Sequence, residues 1–517
     1  MACQNNNKSL YYQSVDELSE AIEAKITGCV PKWIKGTLLR NGPGKFEIEG
    51  NQYRHLFDGL ALLQQFVIEN GNVTYFNKFL RSQTYERNMK AGKIVESELG
   101  TPGIPDPCKN IFARWFTYFF PKEYTDNASV NFCCIKGKIY AMTEVPIITE
   151  IDPSTLANLD RVKLSDGFQD TIKQVFFATA HPHEDDDGSV YNFSVGYDKK
   201  NGLAYLITML PPCTSDREKP LDRGKVITSI PASRQQIYTH SFGMTQKYFV
   251  FIQQPLTVNL WKLAASRFVG WSILETFAWN PTKGTNFVVI SRENGEVVLT
   301  IKAEPFFFFH IANTYDDKNE IVLDVCCYPD AQIFYGLYLE ETRMTDTAVN
   351  NTAFTAQLRR YRLPIDLDHS KVVTLQKKES GLDYEVLSDM CLDLPRINEK
   401  HNRLRHRYVY GACSTNDEID GLLLCKLIKV DVEIKESLVW CEEGCLVSEP
   451  VFIPAPDSQK EDEGVVLSSV YDTNNDNSFL LVLDALSFTE LARAEVPLRF
   501  SPSFHGRFLP PSNTISH

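Results

Sequence analysis

Four of the ten histidines in this chain sit inside apolar or aromatic runs. They are His181 in FFATAHPH, His240 in QIYTHSFGMT, His310 in FFFFHIANTYDD and His505 in SPSFHGRF. A buried imidazole with no charged neighbour in sequence needs a partner, and a metal ion is one way to supply it. Four neutral imidazoles leave a divalent ion its full charge, and in an octahedron they leave two positions open. Imidazole suits zinc, copper, iron and nickel alike, so donor type alone does not choose the metal. A four-coordinate structural zinc has no need of open positions. A ferrous ion with two of them could hold dioxygen beside an organic substrate.

For any one of these histidines taken alone, a hydrogen-bonded core residue is the commoner outcome; the shared context favours a common site. His55, His369, His401, His406 and His517 stand in polar or turn-like contexts and read as surface or loop residues. His183, followed by Glu184-Asp185-Asp186-Asp187, reads as the rim beside an inward His181. Metal-bound histidines usually donate their other ring N–H to a carboxylate or a carbonyl. Glu144 in AMTEVPIIT, Asp393 in CLDLPRI and Glu449 in VSEPVFIP are carboxylates in otherwise apolar settings that suit this role. An ion pair with a core arginine would satisfy each of them equally well.

Ligands separated by more than three hundred residues meet only if the chain keeps returning to one axis. Strand and hairpin signals dominate the sequence. Residues 62–68 and 73–79 flank a Glu69-Asn70-Gly71-Asn72 turn, and 130–134 and 138–143 flank Lys136-Gly137. Residues 287–290, 297–301, 306–313 and 321–327 read as one meander, about a propeller blade. A strand, an Asp-led turn and a further strand recur irregularly at Asp152, Asp431 and Asp484, which suits a propeller with variable outer loops. Helical pattern is scarce, with 14–26 and 261–277 as the candidates. No low-complexity linker interrupts the chain, so residues 1–517 are expected to form one all-β domain; 457–463 reads as an exposed loop.

With a net charge of −13 and no Lys/Arg-rich run, nucleic acid is an unsuitable partner. No basic region leads into an apolar one at the N-terminus, and no stretch of 18 or more apolar residues occurs, so neither secretion nor a membrane span is expected. The thirteen cysteines lack framework spacing. The adjacent pairs Cys133–Cys134 and Cys326–Cys327 read as thiols on strands, and the expected compartment is reducing, the cytosol. Glu47 stands where a GxGxxG fingerprint beginning at Gly42 needs its third glycine, so no nucleotide cofactor is expected. GxSxG and HExxH do not occur.

At these residues the chain resembles the carotenoid cleavage oxygenase family over nearly its whole length. Arg40-Asn41-Gly42-Pro43-Gly44 and His55-Leu56-Phe57-Asp58-Gly59 resemble its N-terminal motifs. The TAHPH, HSFGMT, FFFFH and SFHG segments resemble its four iron-ligand motifs, in order. Glu144, Asp393 and Glu449 match the places of its three outer acids, although Asp393 departs from the glutamate common there. The resemblance implies a seven-bladed β-propeller with Fe(2+) on its axis beneath a cap of loops and helices. It also implies dioxygenase chemistry that divides both atoms of O2 between two aldehydes. Thr143, Tyr238 and Leu99 are the expected cleft residues. PDPCKN at 105–110 resembles the animal branch, and His55-Leu56-Phe57 the insect carotenoid isomerooxygenase. The implied reaction is central 15,15′ cleavage of a carotenoid to retinal-type aldehydes, with a coupled trans-to-11-cis isomerisation. Eccentric cleavage and retinyl-ester isomerohydrolysis are its alternatives.

A carotenoid substrate partitions into lipid, so peripheral membrane contact is expected. Phe112, Trp115, Phe116, Phe119 and Phe120 form one aromatic stripe and Phe268 and Trp271 belong to a second, which suits monotopic attachment. Core-facing helix surfaces are the alternative reading of both stripes. Cys108 is either a lipidation site or an inert thiol.

Overall fold

The structure is a computed structural model that describes residues 10–511, apart from 111–124, 216, 234, 340–354, 366–372, 376–381 and 415–423. Its strands form seven sheets of four to six members, with two small accessory sheets. We number these blades 1 to 7 around the ring. Their strands nearest the axis are His505–Leu509, Asn131–Ile135, His183–Glu184, Gly243–Met244, Phe307–Asp317, Asp393–Arg396 and Cys445–Val447 with Val451–Pro454. This is a β-propeller.

Both chain ends close the ring. His505–Leu509 pairs with Gly36–Lys45 in blade 1, with Asn41 opposite His505. Lys25–Gly28 pairs with Glu490–Val496 at the outer edge of blade 7. Closure of this kind leaves only short, protected sheet edges. It also explains why residues 14–26, expected as a helix, contain strands: pairing with blades 1 and 7 outweighs a weak helical pattern.

Turn chemistry sets the blades locally. Glu69 faces Asn72 across the first hairpin, and Asn70 and Gly71 have φ of 55° and 87°, the left-handed pair that a type I′ turn needs. The three Asp-led repeats are outer hairpins of blades 2, 6 and 7. In each, the residue four positions on returns its N–H to the aspartate carbonyl: Leu156 to Asp152 at 2.8 Å, Lys435 to Asp431 at 2.7 Å and Phe488 to Asp484 at 2.8 Å. All three take positive φ (54°, 62° and 58°).

The expected four-strand meander spans two blades. Thr285–Ser291 and Val297–Ala303 belong to blade 4, whereas Phe307–Asp317 and Glu320–Tyr328 open blade 5. The break falls at Glu304-Pro305, where proline has no N–H to continue a ladder. Helix Leu260–Val269 occupies only the first part of 261–277 and ends at Gly270, φ 78°. The sequence reading missed helix Gln83–Ala91, capped by Ser82 Oγ accepting the Tyr85 N–H and by left-handed Gly92. Cys133, Cys326 and Cys327 are buried thiols and Cys134 is half-buried, as expected, but Cys391 and Cys413 form a disulfide that no spacing signalled.

A candidate metal centre on the propeller axis

The four singled-out histidines meet. Their ligand nitrogens all lie within 4.8 Å of one another. Nε2 to Nε2 separations are 2.8 Å for His181–His240, 3.3 Å for His240–His310 and 3.2 Å for His310–His505. Ligands about 2.1 Å from one ion and at right angles to each other stand about 3.0 Å apart, so these spacings fit a shared divalent cation. Burial holds three of these imidazoles neutral: His181 and His240 are pushed well below the usual histidine range and His505 down to about 4. Neutral imidazole is the ligating form.

Local irregularity aims the rings. Around His310 the ladder with Glu320–Tyr328 shifts register twice, between Phe308 and Ile311 and again before Asn313. Bulges of this kind re-aim a side chain out of the regular alternation. His505 is the first paired residue of its strand, opposite Asn41, whereas His181 and His240 stand just before theirs, outside the ladder.

Three of the four rings are held from behind by acids, and blades 2, 6 and 7, which supply no histidine, supply these. His240 Nδ1 is 2.5 Å from Glu144 Oε1, His310 Nδ1 is 2.7 Å from Asp393 Oδ1, and His505 Nδ1 is 2.8 Å from Glu449 Oε1. Each of the seven blades thus places one side chain in the centre. Asp393 reaches His310 directly in spite of its shorter arm, because Leu394 takes φ 52° and the strand is bulged between Asp393 and Arg396.

The acids sit in different electrostatic settings. Burial pushes Glu144 up to about 8, against the stabilising Tyr238 hydroxyl, which lies 2.9 and 3.0 Å from its two oxygens. Burial also opposes the charge on Glu449, but Arg396, His505 and Arg40 overcome it and hold this carboxyl far below its usual range. Arg40 Nη1 and Arg396 Nε each donate to Glu449 at 2.9 Å, and the Gly506 N–H does the same. The carboxylate–histidine bond and the core-arginine ion pair, weighed as alternatives for Glu449, therefore coexist. Arg40 stood in a quoted motif without an assigned role; Arg396 and Tyr328, the partner of Asp393, carried no local signal.

An apolar, largely aromatic cluster lies against this centre. Phe309 is 5.1 Å from the His240 ring, and Phe334 stands 5.2 Å from Phe309 and 5.4 Å from Tyr238. Leu99 packs on the same cluster, and its carbonyl accepts the Leu274 N–H at 2.8 Å. Thr143 is half-buried beside Glu144.

Two histidines expected at the surface are buried. His55 Nε2 lies 2.8 Å from the Phe334 carbonyl, and His406 Nε2 lies 3.0 Å from Asp324. Their polar sequence neighbours face other partners, a distinction that local context does not carry. His183, expected at the rim, lies 2.7 Å from the Phe242 carbonyl. Of the aromatic stripes, Phe112, Trp115, Phe116, Phe119 and Phe120 lie outside the described residues. Trp261, Phe268 and Trp271 are exposed, and among the described residues no helix is long and apolar enough to cross a membrane.

The family profile for Retinal pigment epithelial membrane protein (RPE65) matches residues 11–510. A carotenoid-cleaving dioxygenase, mitochondrial, from Mustela putorius furo is 38% identical, covering 96% of this chain and 95% of its own. The Homo sapiens protein of the same name is 36% identical over 96% and 90%. A beta,beta-carotene 15,15'-dioxygenase from Rattus norvegicus is 36% identical over 97% and 91%. Among solved structures, a variant of Synechocystis apocarotenoid oxygenase superposes with TM-score 0.77 at 23% identity, over 98% of this chain and 99% of that one, and shares its fold. The expected cytosolic location does not stand against relatives named as mitochondrial. The cysteine pattern does not identify a compartment, and it also fails to signal the Cys391–Cys413 disulfide. Profile, full-length relatives and the four-histidine propeller centre agree: the chain belongs to the RPE65/carotenoid oxygenase family.

Proposed function

We propose that this protein is an iron(II)-dependent dioxygenase that cleaves a carotenoid, at the central double bond, into two retinal-type aldehydes. The observation that carries this reading is the juxtaposition of four convergent imidazoles with an apolar, aromatic cluster against one of them. His181, His240, His310 and His505 would hold the metal, and their donor chemistry fits a borderline ion such as iron. Ferrous iron, when bound, supplies open positions for dioxygen. Glu144, Asp393 and Glu449 fix the tautomer of three rings by accepting their Nδ1–H. Tyr238 and Leu99, with Thr143 at the edge of the centre, are the proposed cleft residues. The aromatic cluster presents apolar faces to a polyene and keeps bulk water away. The names of the mammalian relatives support the substrate class.

The same reading assigns membrane access to the exposed aromatic residues on and after helix Leu260–Val269: Trp261 is 70% and Phe268 64% exposed. Side chains of this type settle at a lipid–water interface. The test of the reaction is chromatography of iron-loaded protein given β-carotene and O2. A C20 aldehyde formed with stoichiometric O2 uptake is expected; turnover without O2 uptake, or no C20 product, refutes the proposal. The cis or trans geometry of that aldehyde, read from the same chromatogram, decides whether isomerisation accompanies cleavage.

A further inference from the structure

The three acids behind the histidines are immobilised by different donors. Glu449 meets two guanidiniums and a backbone N–H, and Glu144 meets Tyr238 at both oxygens. Asp393 has the shortest arm. Its Oδ1 lies 2.7 Å from His310 Nδ1 and accepts the Leu394 N–H at 2.8 Å. Its Oδ2 accepts the Tyr328 hydroxyl at 2.5 Å.

Tyr328 is the last residue of Glu320–Tyr328, the strand paired with the one that carries His310, and its register partner is Phe307. Its ring is buried and stands 6.0 Å from both Phe307 and Phe309. Packing therefore fixes the ring, and the ring fixes where the hydroxyl ends. A carboxylate held through one oxygen can turn about its Cβ–Cγ bond. Held through both, it offers Oδ1 to His310 in a single orientation.

We propose that Tyr328 is a positioning residue of the metal centre, whose hydroxyl locks Asp393 and through it the ring plane and tautomer of His310. This rests on the reading of the four imidazoles as a metal site, but not on which divalent ion they hold. Without the hydroxyl, Asp393 Oδ2 loses its 2.5 Å donor, and the Cys326 thiol beside the carboxylate is too weak a donor to hold it in place. His310 then loses its fixed acceptor, and the histidine cluster is no longer preset for an ion.

Tyr328→Phe removes one oxygen and keeps the ring. Ferrous affinity, measured anaerobically by competition with a chromophoric chelator, is expected to fall about tenfold, the lower end of the usual effect of an outer-shell partner. Turnover of β-carotene should fall while KM does not change. In an Asp393→Asn background the same substitution should have no further effect on affinity, because the group it acts through is gone. The thermal midpoint of the metal-free variant reports its folding, and Tyr328→Leu serves as a second hydroxyl-free variant. Unchanged ferrous affinity in Tyr328→Phe, or an equal loss with and without the Asp393 carboxylate, overturns the inference. His310→Ala is run beside it: ferrous binding that survives this change refutes the metal site itself, a separate failure.

Discussion

Glu449 and Glu144 stand in equivalent places behind His505 and His240, yet replacing each by glutamine should have very different consequences for the metal-free protein. Glu449 is 2% exposed and Arg40 is fully buried, with 2.9 Å between Oε2 and Nη1. Glutamine keeps one acceptor oxygen but removes the charge, leaving the buried Arg40 guanidinium with neutral acceptors alone: those on Ser503 and Phe504 and the backbone carbonyl of residue 449. Breaking a buried pair from one side costs about 3–5 kcal/mol. Arg396, whose side chain is 26% exposed, can recover water, so the lower end applies, about 3 kcal/mol. Glu144 instead has neutral partners and is pushed up to about 8, so near pH 7 it is mostly the neutral acid that glutamine imitates. Its replacement should cost about 1 kcal/mol or less, the scale of one altered neutral hydrogen bond. Urea unfolding of metal-stripped protein at pH 7, followed by tryptophan fluorescence, reads both. Because m grows with chain length and exceeds the small-protein range for 517 residues, Glu449→Gln should lower the midpoint by about 0.5 M and Glu144→Gln by a fraction of that. Equal shifts would refute the view that the two acids differ in charge environment.

Two further outcomes follow from the same geometry. Burial lowers His55 and His183 to about 4, below the 6.5 of an exposed imidazole, so the stability each contributes is complete above pH 6.5 and drains away as pH falls toward 4. His55→Gln should reduce the pH slope of the urea midpoint between pH 6 and 5 by about one proton, roughly 1.4 kcal/mol per pH unit; an unaltered slope contradicts the burial argument. Replacing exposed Trp261 or Phe268 by serine should weaken cosedimentation with phosphatidylcholine vesicles about tenfold each, and undiminished sedimentation would remove helix Leu260–Val269 from the membrane reading.

Much of this architecture is legible in the chain because its signals are local. Asn70-Gly71 demands a type I′ turn, and each aspartate-led turn needs only the next four residues. The histidines were conspicuous because an imidazole inside FFFFH or TAHPH has no polar neighbour to satisfy it. What stayed hidden depends on contacts distant in sequence. Ile22–Glu23 and Lys25–Gly28 form strands only because blades 1 and 7 offer edges to pair with, and the latter edge lies more than four hundred and fifty residues away. His55 and His406 look polar in sequence, yet Phe334 and Asp324 bury them from other blades and the cap. Glu449 could be read as a metal-site acid or an ion-pair partner, and no local pattern reveals that one carboxylate does both. Tyr328 behind Asp393 is of the same kind, since its role exists only across the boundary of blades 5 and 6.

The central claim is that one ferrous ion is held by His181, His240, His310 and His505. An anomalous difference map recorded at the iron absorption edge, from crystals of iron-loaded protein, addresses it without reference to turnover. A single strong peak about 2 Å from all four Nε2 atoms is the predicted result. A peak displaced from any one of these nitrogens, or none among them, would contradict it.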